Sequence, residues 1–453
     1  MAVISRKKAT VAVVAASAVA ASLMLSGCAT GGSDNPNFAD CKEVTEISWL
    51  GTIKVEIQDQ FTAAIEDYNK TNTDCTTVSI VESPQDVPFL QTATSLYEAG
   101  KAPTIMTALQ DLPDMADKVM DWTGQPLAEL AAPGTLDVAN IDGKQVGIPV
   151  TAEAFGLLYN QAVLSTAGVN PADIQTRDDL AAAFEKIAAT GVDPMHLSGL
   201  WWSLGAHFTN IYHTNVSETS ADNHAVLDDL TAGNKSLIND PTFNSWLDTF
   251  DLLKANSIDT ASIADADYDL GVENLATGKT AFWFMGNWAE PNLLTTDPKG
   301  EFGIMPVPVN NTVGSKANTS ISVGVPFYMM VDTEQSTEAQ QKSAVAVLTW
   351  FLTTPEGQAY WAGPVDKGGM NFIPVYEDFT VQPTTYMAKE IAAYVDAGKT
   401  LEWINSYYPA GGQELYGASS QKYMTGKINA AQYAAELEKA WKGKTKTWRG
   451  VSK

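Results

Sequence analysis

The sequence predicts an α/β fold built from mostly parallel sheets flanked by helices. Short extended runs over 46–50, 76–81 and 104–108 alternate with helical patterns, which is the order typical of a doubly wound sheet. The 453 residues suffice for two domains of ordinary size, and an apolar fraction of 45% can build their cores. Because parallel sheets bind ligands at the carboxyl ends of their strands, we expect a site there.

The N-terminal residues have the pattern of an export signal. Basic residues at 6–8 precede a small and apolar run over 11–25. The sequence Leu25-Ser26-Gly27-Cys28 resembles the lipobox of bacterial lipoproteins, which implies that Cys28 receives a lipid. The alternative is an uncleaved membrane anchor with a chance cysteine, but the apolar run is short for a spanning helix. Residues 1–27 are thus predicted to be a lipoprotein signal peptide.

The next residues, 28–40, are rich in Gly, Ser, Asn, Asp and Pro, and they predict a flexible tether. No later apolar run approaches the length of a membrane-spanning helix. We therefore expect a soluble body, held by its lipid on the extracellular face of the cell membrane.

The chain is strongly acidic, with a formal net charge of −25 at pH 7. The predicted signal carries three basic residues and no acidic ones, so the remainder has a charge of −28. Such a charge repels nucleic acid and anionic lipid surfaces. We expect a neutral or cationic ligand.

Cys41 and Cys75 are the two cysteines left after Cys28. An even pair in an exported protein predicts a disulfide, and two free thiols are the alternative. Each cysteine lies just before a predicted strand, so both would lie at one end of the sheet if those strands are parallel neighbours.

The first part of the chain alternates strands with helices. A helical pattern with apolar residues spaced by about four follows the first strand over 57–68, and a second helix over 89–99 is predicted after the second strand. The residues after the three strands are Gly51-Thr52, Ser83-Pro84-Gln85 and Gln110-Asp111.

Helical patterns dominate the later part of the chain. They cover 177–189, 241–255, 338–353, 384–397 and 428–442. Extended pieces between them cover 146–150, 155–159, 281–285, 302–308 and 321–331.

Three stretches in this part carry a resemblance to a known family. They are Asp142–Pro149 with Phe155–Asn160, then Asn274–Trp288, then Phe302–Pro308. Together they resemble the solute-binding proteins of carbohydrate ABC importers, the maltose-binding-protein-like group. Thr104 and the segment 174–179 depart from the family pattern, at positions that do not touch ligand in the family.

The resemblance implies a periplasmic-binding-protein-like fold, with two α/β lobes, three chain crossings and a ligand cleft between the lobes. We expect the crossings near 150–152, 320–324 and 371–374. The first lobe would comprise 41–150 plus 322–372, and the second 151–321 plus 373–453. The implied partners are a carbohydrate and the membrane permease of an ABC transporter, with the chain itself a monomer and no cofactor.

The strongest predicted ligand contact is Trp288, where the family places a stacking tryptophan. An aromatic face matches the C–H face of a sugar ring, and a core tryptophan is the alternative. Asn287 beside it can pair with hydroxyl groups or form a turn. Glu153 follows the first crossing, where the family often has a sugar-contacting acid; a solvated hinge carboxylate is the alternative.

Further candidates come from the ends of strands and from aromatic turns. Asp111, with Gln110 beside it, ends the third strand and could contact ligand or cap a helix. Trp201 and Trp202 are adjacent, so their side chains diverge, and at most one of them is expected to face the cleft while the other packs in a core. The remaining candidates are Tyr408, Gly324 at the second crossing, and Thr52 and Trp49 at the first strand end.

No motif for a cofactor or metal is complete. Gly278-Lys279-Thr280 imitates the end of a phosphate-binding loop, but Glu273 occupies the position of the required glycine. Asp265, Asp267 and Asp269 imitate a calcium loop that lacks its glycine and its closing acid. The four histidines, at 196, 207, 213 and 224, are not spaced to meet on one helical turn.

Two classes of function remain from these patterns. The first is a binding protein without enzymatic activity that captures an oligosaccharide and delivers it to a permease. The second is a lipid-anchored glycoside hydrolase that uses a pair of carboxylates, which an acid-rich chain can always supply. A metal-binding role for the histidines is a weaker third hypothesis.

Overall fold

The computed structural model describes residues 35–51, 57–82, 87, 89–108, 111–258, 262–409 and 411–443. The predicted signal peptide, Cys28, Thr52 and Gln110 lie outside these residues. Within the described part, no helix is both long enough and apolar enough to cross a membrane.

The strands of the described residues are labelled in chain order. They are β1 Thr45–Gly51, β2 Thr76–Val81, β3 Ile105–Ala108, β4 Asn140–Ile141, β5 Lys144–Gln145, β6 Ile148–Pro149, β7 Glu153–Asn160, β8 Asp193–His196, β9 Thr280–Gly286, β10 Phe302–Met305, β11 Ile321–Gly324, β12 Tyr328–Val331 and β13 Thr400–Leu401.

The helices are labelled in the same way. They are α1 Gln58–Thr71, α2 Phe89–Glu98, α3 Leu112–Met115, α4 Pro126–Glu129, α5 Gln161–Thr166, α6 Arg177–Ala188, α7 Thr209–His213, α8 Ser220–Ala232, α9 Pro241–Ala255, α10 Tyr268–Ala276, α11 Glu290–Thr296, α12 Lys316–Thr319, α13 Glu338–Thr353, α14 Pro355–Ala362, α15 Tyr386–Asp396, α16 Gly412–Met424 and α17 Ala430–Trp441.

Side-chain caps determine where several of these helices begin. Thr337 caps α13 in a reciprocal capping box with Gln340. Thr176 accepts a hydrogen bond from the Asp179 amide at the start of α6. The observed starts of α6, α9 and α13 coincide with those that the sequence predicts.

The first lobe is built on a five-stranded sheet in the order β2-β1-β3-β12-β6. β1 pairs in parallel with β2 and β3, and β12 is antiparallel to β3. Successive residues of β1 enter different cores: Trp49 packs with α1, α13 and α14, and Leu50 packs with α2. The sheet is thus covered by helices on both faces, as a doubly wound sheet requires.

The second lobe is built on a six-stranded sheet with the path β13-β11-β7-β9-β8 and with β10 also paired to β7. All eight residues of β7 and all seven of β9 are buried. Helices α6, α9, α16 and α17 enclose this sheet in one large core. The sequence patterns alone did not predict α8, α10 or α16.

Three chain crossings join the lobes, and hydrogen bonds join the crossings to one another. Residues 150–152 link β6 to β7, and 325–327 link β11 to β12. The Val150 amide donates to the Phe327 carbonyl at 3.0 Å, and the Ala152 amide donates to the Ile373 carbonyl at 2.9 Å. The first crossing therefore lies between the other two and is bonded to both.

Two of the predicted lobe boundaries need correction. β11 pairs with β7 in the second sheet, so the second crossing follows Gly324 and not residue 321. Val375, Tyr376 and Phe379 belong to a core of the first lobe, so this lobe does not end at 372, and the third crossing, which begins at residue 371, extends past 379 and not only to 374. Both differences arise because an extended pattern does not reveal the sheet to which a strand is bonded.

The predicted tether also ends earlier than expected. Residues Pro36–Asp40 form a short 3-10 helix. The Asn35 side-chain amide donates to the Asn72 carbonyl at 2.8 Å, which holds this segment against the end of α1. The structure thus includes 35–40 in the first lobe.

A disulfide joins Cys41 to Cys75, whose Cα atoms are 5.8 Å apart. The Thr45 amide donates to the Cys75 carbonyl at 2.8 Å, so the bridge lies where β1 and β2 begin. It closes a loop with a sequence separation of 34 residues.

Removing this bridge is expected to destabilise the chain. For a loop of this length, the chain-entropy model gives a loss of about 3–4 kcal/mol in the free energy of unfolding. Denaturant unfolding of the oxidised chain and of the Cys41→Ser/Cys75→Ser variant measures this loss. A reducing agent should lower the stability of the natural chain and leave that of the variant unchanged. Equal unfolding midpoints for the two proteins would contradict the prediction.

Candidate binding site

A cavity lies where the carboxyl ends of β1 and β3 meet the three crossings. The space inside it that no atom fills is about 460 Å³, part of it open to solvent. Its lining comes from both lobes and from the crossings: Trp49, Gly51, Ile57, Phe61, Thr107, Val150, Thr151, Glu153, Pro326, Phe327, Trp361 and Phe372.

Aromatic rings held in fixed orientations form one wall of the cavity. Trp49 packs edge-on against Phe61, with ring centroids 5.0 Å apart. The Trp49 indole nitrogen donates to the Thr107 hydroxyl at 2.8 Å, which fixes the rotation of the ring. These rings present apolar faces that need no rearrangement to receive a ligand.

Polar groups accompany these rings. The Thr151 hydroxyl and the Trp361 indole nitrogen are buried, and neither has a hydrogen-bond partner among the described residues. Glu153, the first residue of β7, adds a buried carboxylate. A cavity with this lining suits a ligand that has both apolar faces and hydroxyl groups.

A second aromatic group lies in the second lobe; we call it the aromatic cluster. His207 is at its centre, with ring centroids 4.6 Å from Phe155 and 4.9 Å from Trp288. Trp202 and Trp403 complete it, at 5.5 Å and 5.7 Å from His207. A π-helical turn over Ser203–Phe208 brings His207 back toward Trp202.

Two glycines make room for this cluster. A Cβ atom on Gly286 would lie 2.0 Å from the Trp288 ring, and one on Gly324 would lie 2.4 Å from the Trp403 ring. Gly324 is paired with Glu153 in the sheet. Because Glu153 lines the cavity, the aromatic cluster and the cavity are neighbours.

The structure puts Trp288 in the aromatic cluster with 3% of its surface exposed. The Asn287 side-chain oxygen accepts the Ala154 amide at 2.8 Å, which ties the turn before α11 to β7. Asn287 therefore positions Trp288, and its oxygen is already engaged by the backbone. Gly324, also a predicted ligand contact, leaves the space that the Trp403 ring occupies.

The two adjacent tryptophans do diverge. Trp202 packs in the aromatic cluster, whereas Trp201 is 41% exposed. The expectation that Tyr408 forms a cleft wall is wrong. Its hydroxyl lies 3.0 Å from that of Thr209, and its ring packs against Tyr416 and Trp441 in the second core.

Carboxylates of the two lobes act on one another. Burial raises the pKa of Asp111 to about 6, and the charges of Asp114 and of Glu414, on α16 of the second lobe, act in the same direction. Burial also raises the pKa of Asp137, with a contribution from Glu402 of the second lobe. Asp111 makes no side-chain cap bond to α3, so the alternative to ligand contact, a capping role for Asp111, is absent.

The histidines are separated by the fold. His196 contacts Asn274, His224 contacts Glu402, and His207 belongs to the aromatic cluster. Burial lowers the pKa of His213 to about 3. No group of three or more potential metal ligands occurs in the part of the chain that the structure describes.

Several site residues have no sequence signal of their own. Trp361 lies on α14, where its helical spacing resembles that of a core residue. Phe327 and Phe372 lie in the second and third crossings and meet only because the crossings are bonded together. Trp403 follows Glu402 in an irregular segment, and the sequence offers no sign of its approach to Gly324.

A family model described as bacterial extracellular solute-binding protein matches residues 54–359. The comparison with curated proteins finds no match to the sequence.

Among solved structures, SBP RafE in complex with raffinose has a TM-score of 0.70 and 16% identity, with 88% of this chain and 99% of that chain covered. A chitin oligosaccharide binding protein has a TM-score of 0.69 and 16% identity, with 87% and 98% covered. A sugar transporter from Bacillus licheniformis in complex with stachyose has a TM-score of 0.66 and 17% identity, with 87% and 98% covered. At these identities, the likeness establishes the two-lobe fold.

Gly324→Ala is expected to destabilise the second lobe. The added methyl group overlaps the Trp403 ring, and such overpacking costs about 1–3 kcal/mol. Thermal and denaturant unfolding measure the loss. Gly51→Ala is the matched control, because a methyl group there meets its neighbours at 3.6 Å or more. Equal stability of the two variants would contradict the close approach of Trp403.

Asp111→Asn is expected to raise the melting temperature more at pH 7 than at pH 4. The pKa of Asp111 is raised in the folded chain from 3.8 to about 6. Compared with a side chain that is always neutral, Asp111 costs no stability below pH 3.8. The cost grows as the pH rises and is complete once the pH has passed 6. Asp117→Asn, at an exposed position nearby, is the control. An equal shift of the melting temperature at both pH values would exclude this effect.

Proposed function

This chain belongs to the bacterial extracellular solute-binding protein family, whose members bind solutes and are not enzymes, and we propose that its solute is an oligosaccharide. The observation that carries the proposal is the cavity at the crossings. It combines the fixed rings of Trp49, Phe61 and Trp361 with the buried polar groups of Thr151 and Glu153. A sugar has both the apolar faces and the hydroxyl groups that this lining would contact.

The solved structures support the same class of ligand. The titles of two of them report raffinose and stachyose, and a third protein is called a chitin oligosaccharide binding protein. The aromatic cluster next to the cavity supports a ligand of more than one ring, because it offers a second set of aromatic faces. The acidic groups argue against an anionic ligand, since carboxylates of both lobes would repel an anion, and a neutral sugar meets this condition.

Capture would proceed by hinge closure about the three crossings. A ligand favours the closed form only through contacts that it makes with both lobes. The cavity meets this condition, because Trp49 and Thr107 belong to the first lobe and Glu153 to the second. The charge of Glu414 in the second lobe contributes to the raised pKa of Asp111 in the first, so like charges would oppose closure and the ligand's contacts with both lobes would favour it.

We infer delivery to an ABC permease from the family, and attachment to the membrane from the sequence Leu25-Ser26-Gly27-Cys28. A lipid on Cys28 would hold a monomeric receptor beside its transporter on the extracellular face. The hydrolase hypothesis receives no support, since the family to which the chain belongs consists of binding proteins.

The proposal predicts binding of oligosaccharides without their conversion. Isothermal titration against raffinose, stachyose, and malto-, xylo- and chito-oligosaccharides should give heat with at least one of them, and no new reducing ends should form. Trp202→Ala is expected to weaken that binding about tenfold or more, equivalent to ~1.4 kcal/mol, through loss of a ring from the aromatic cluster.

Trp201→Ala is the matched control for Trp202→Ala, because Trp201 is adjacent and exposed. It should change the affinity little. The absence of heat across the panel would overturn the sugar proposal. A loss of affinity confined to Trp201→Ala would indicate that the ligand binds at the exposed Trp201 and not at the aromatic cluster.

A further inference from the structure

Glu290 is a buried acid that contacts the third crossing. It is the first residue of α11 in the second lobe, and 2% of its surface is exposed. One of its carboxyl oxygens accepts the Asn371 side-chain amide at 2.5 Å and the Thr385 hydroxyl at 2.9 Å. Asn371 begins the third crossing, and Thr385 caps α15 at the far end of the same segment.

We propose that Glu290 is a neutral carboxylic acid whose hydrogen bonds hold the third crossing to the second lobe. Its ionisation would weaken this attachment. The proposal concerns a positioning residue and does not depend on the identity of the ligand.

The side-chain oxygen of Asn371 gives a structural reason for Glu290 to be protonated. Asn371 is buried, and its side-chain oxygen has no hydrogen-bond partner among the described residues. An ionised carboxylate can only accept hydrogen bonds, whereas a carboxylic acid also has a hydrogen to donate. A neutral Glu290 could therefore exchange two hydrogen bonds with the Asn371 amide and satisfy an acceptor that is otherwise costly to bury.

The surroundings of Glu290 favour its neutral form. Burial raises its pKa to about 8, although the bonds from Thr385 and Asn371 act in the opposite direction. Three titratable groups on the neighbouring helices α10 and α15 have partners of their own. Tyr268 of α10 donates to Asn292, Glu273 of α10 pairs with Lys279, and Glu390 of α15 accepts from Tyr159 and the Ile304 amide.

The hydrogen bond between Glu290 and Asn371 lies close to the cavity. Asn371 has a φ of 53°, a left-handed conformation that asparagine tolerates better than most residues. The next residue, Phe372, lines the cavity, and Ile373 accepts the bond from Ala152 of the first crossing. Loss of the bond to Asn371 would therefore release the crossing next to Phe372, where it borders the cavity.

The test compares ligand-free wild type, Glu290→Gln and Glu273→Gln between pH 4.5 and 9. The folded chain keeps the Glu290 proton up to about pH 8, whereas the unfolded chain loses it near 4.5, so stability falls as the pH rises through this window. Relative to Glu290→Gln, the wild-type unfolding equilibrium should shift by up to about tenfold per pH unit toward the unfolded state. Glu273→Gln, an exposed control, should follow the wild type.

The same pH dependence in Glu290→Gln and in wild type would overturn the proposal. Two measurements on the wild type test the protonation of Glu290 and the attachment of the crossing even if the variant does not fold. The infrared band of a protonated buried carboxyl should be present at pH 6.5 and lost above pH 9. Hydrogen-exchange protection of the segment 371–385, corrected for the intrinsic rate, should fall over the same range. Absence of the band at pH 6.5, or unchanged protection, would contradict a neutral Glu290.

Discussion

The rest of the structure depends on the backbone hydrogen bonds between the three crossings. Val150 bonds to Phe327 and Ala152 bonds to Ile373, so the three connections between the lobes form one short bonded ribbon. A relative motion of the lobes must therefore bend all three connections together or break these bonds. It also brings together Thr151, Phe327 and Phe372, which are far apart in the sequence and line one cavity.

Electrostatics and aromatic packing act in opposite directions at this site. Burial raises the pKa values of Asp111 and Asp137 in the first lobe, and the charges of Glu414 and Glu402 in the second lobe act in the same direction, so negative charges of the two lobes oppose their approach. The aromatic rings are held rigidly by packing and by bonds such as that from Trp49 to Thr107. An uncharged ligand that contacts rings on both lobes adds favourable contacts without adding charge, which is the selectivity that the proposed function requires.

Much of the fold could be predicted from the sequence because its signals are local. Helical patterns along the chain predicted α6, α9 and α13, and the alternation of strands and helices predicted the parallel arrangement of β1, β2 and β3. The failures concern pairing. A single extended pattern over 321–331 is two strands in different sheets, since strand partners are chosen by distant segments. Tyr408 was misjudged for a similar reason: an aromatic turn has the same appearance on a cleft wall and in a core.

The sequence by itself determined the family, the acidic charge, the pair of cysteines and Trp288 as an aromatic side chain after a strand. Only the tertiary structure decided which groups meet. It brought Trp361 of α14 and Trp49 of β1 into the lining of one cavity, left room at Gly324 for Trp403, and buried Glu290 against Asn371. The physical reason is that local propensity depends on neighbours along the chain, whereas burial, close approach and pKa depend on neighbours in space.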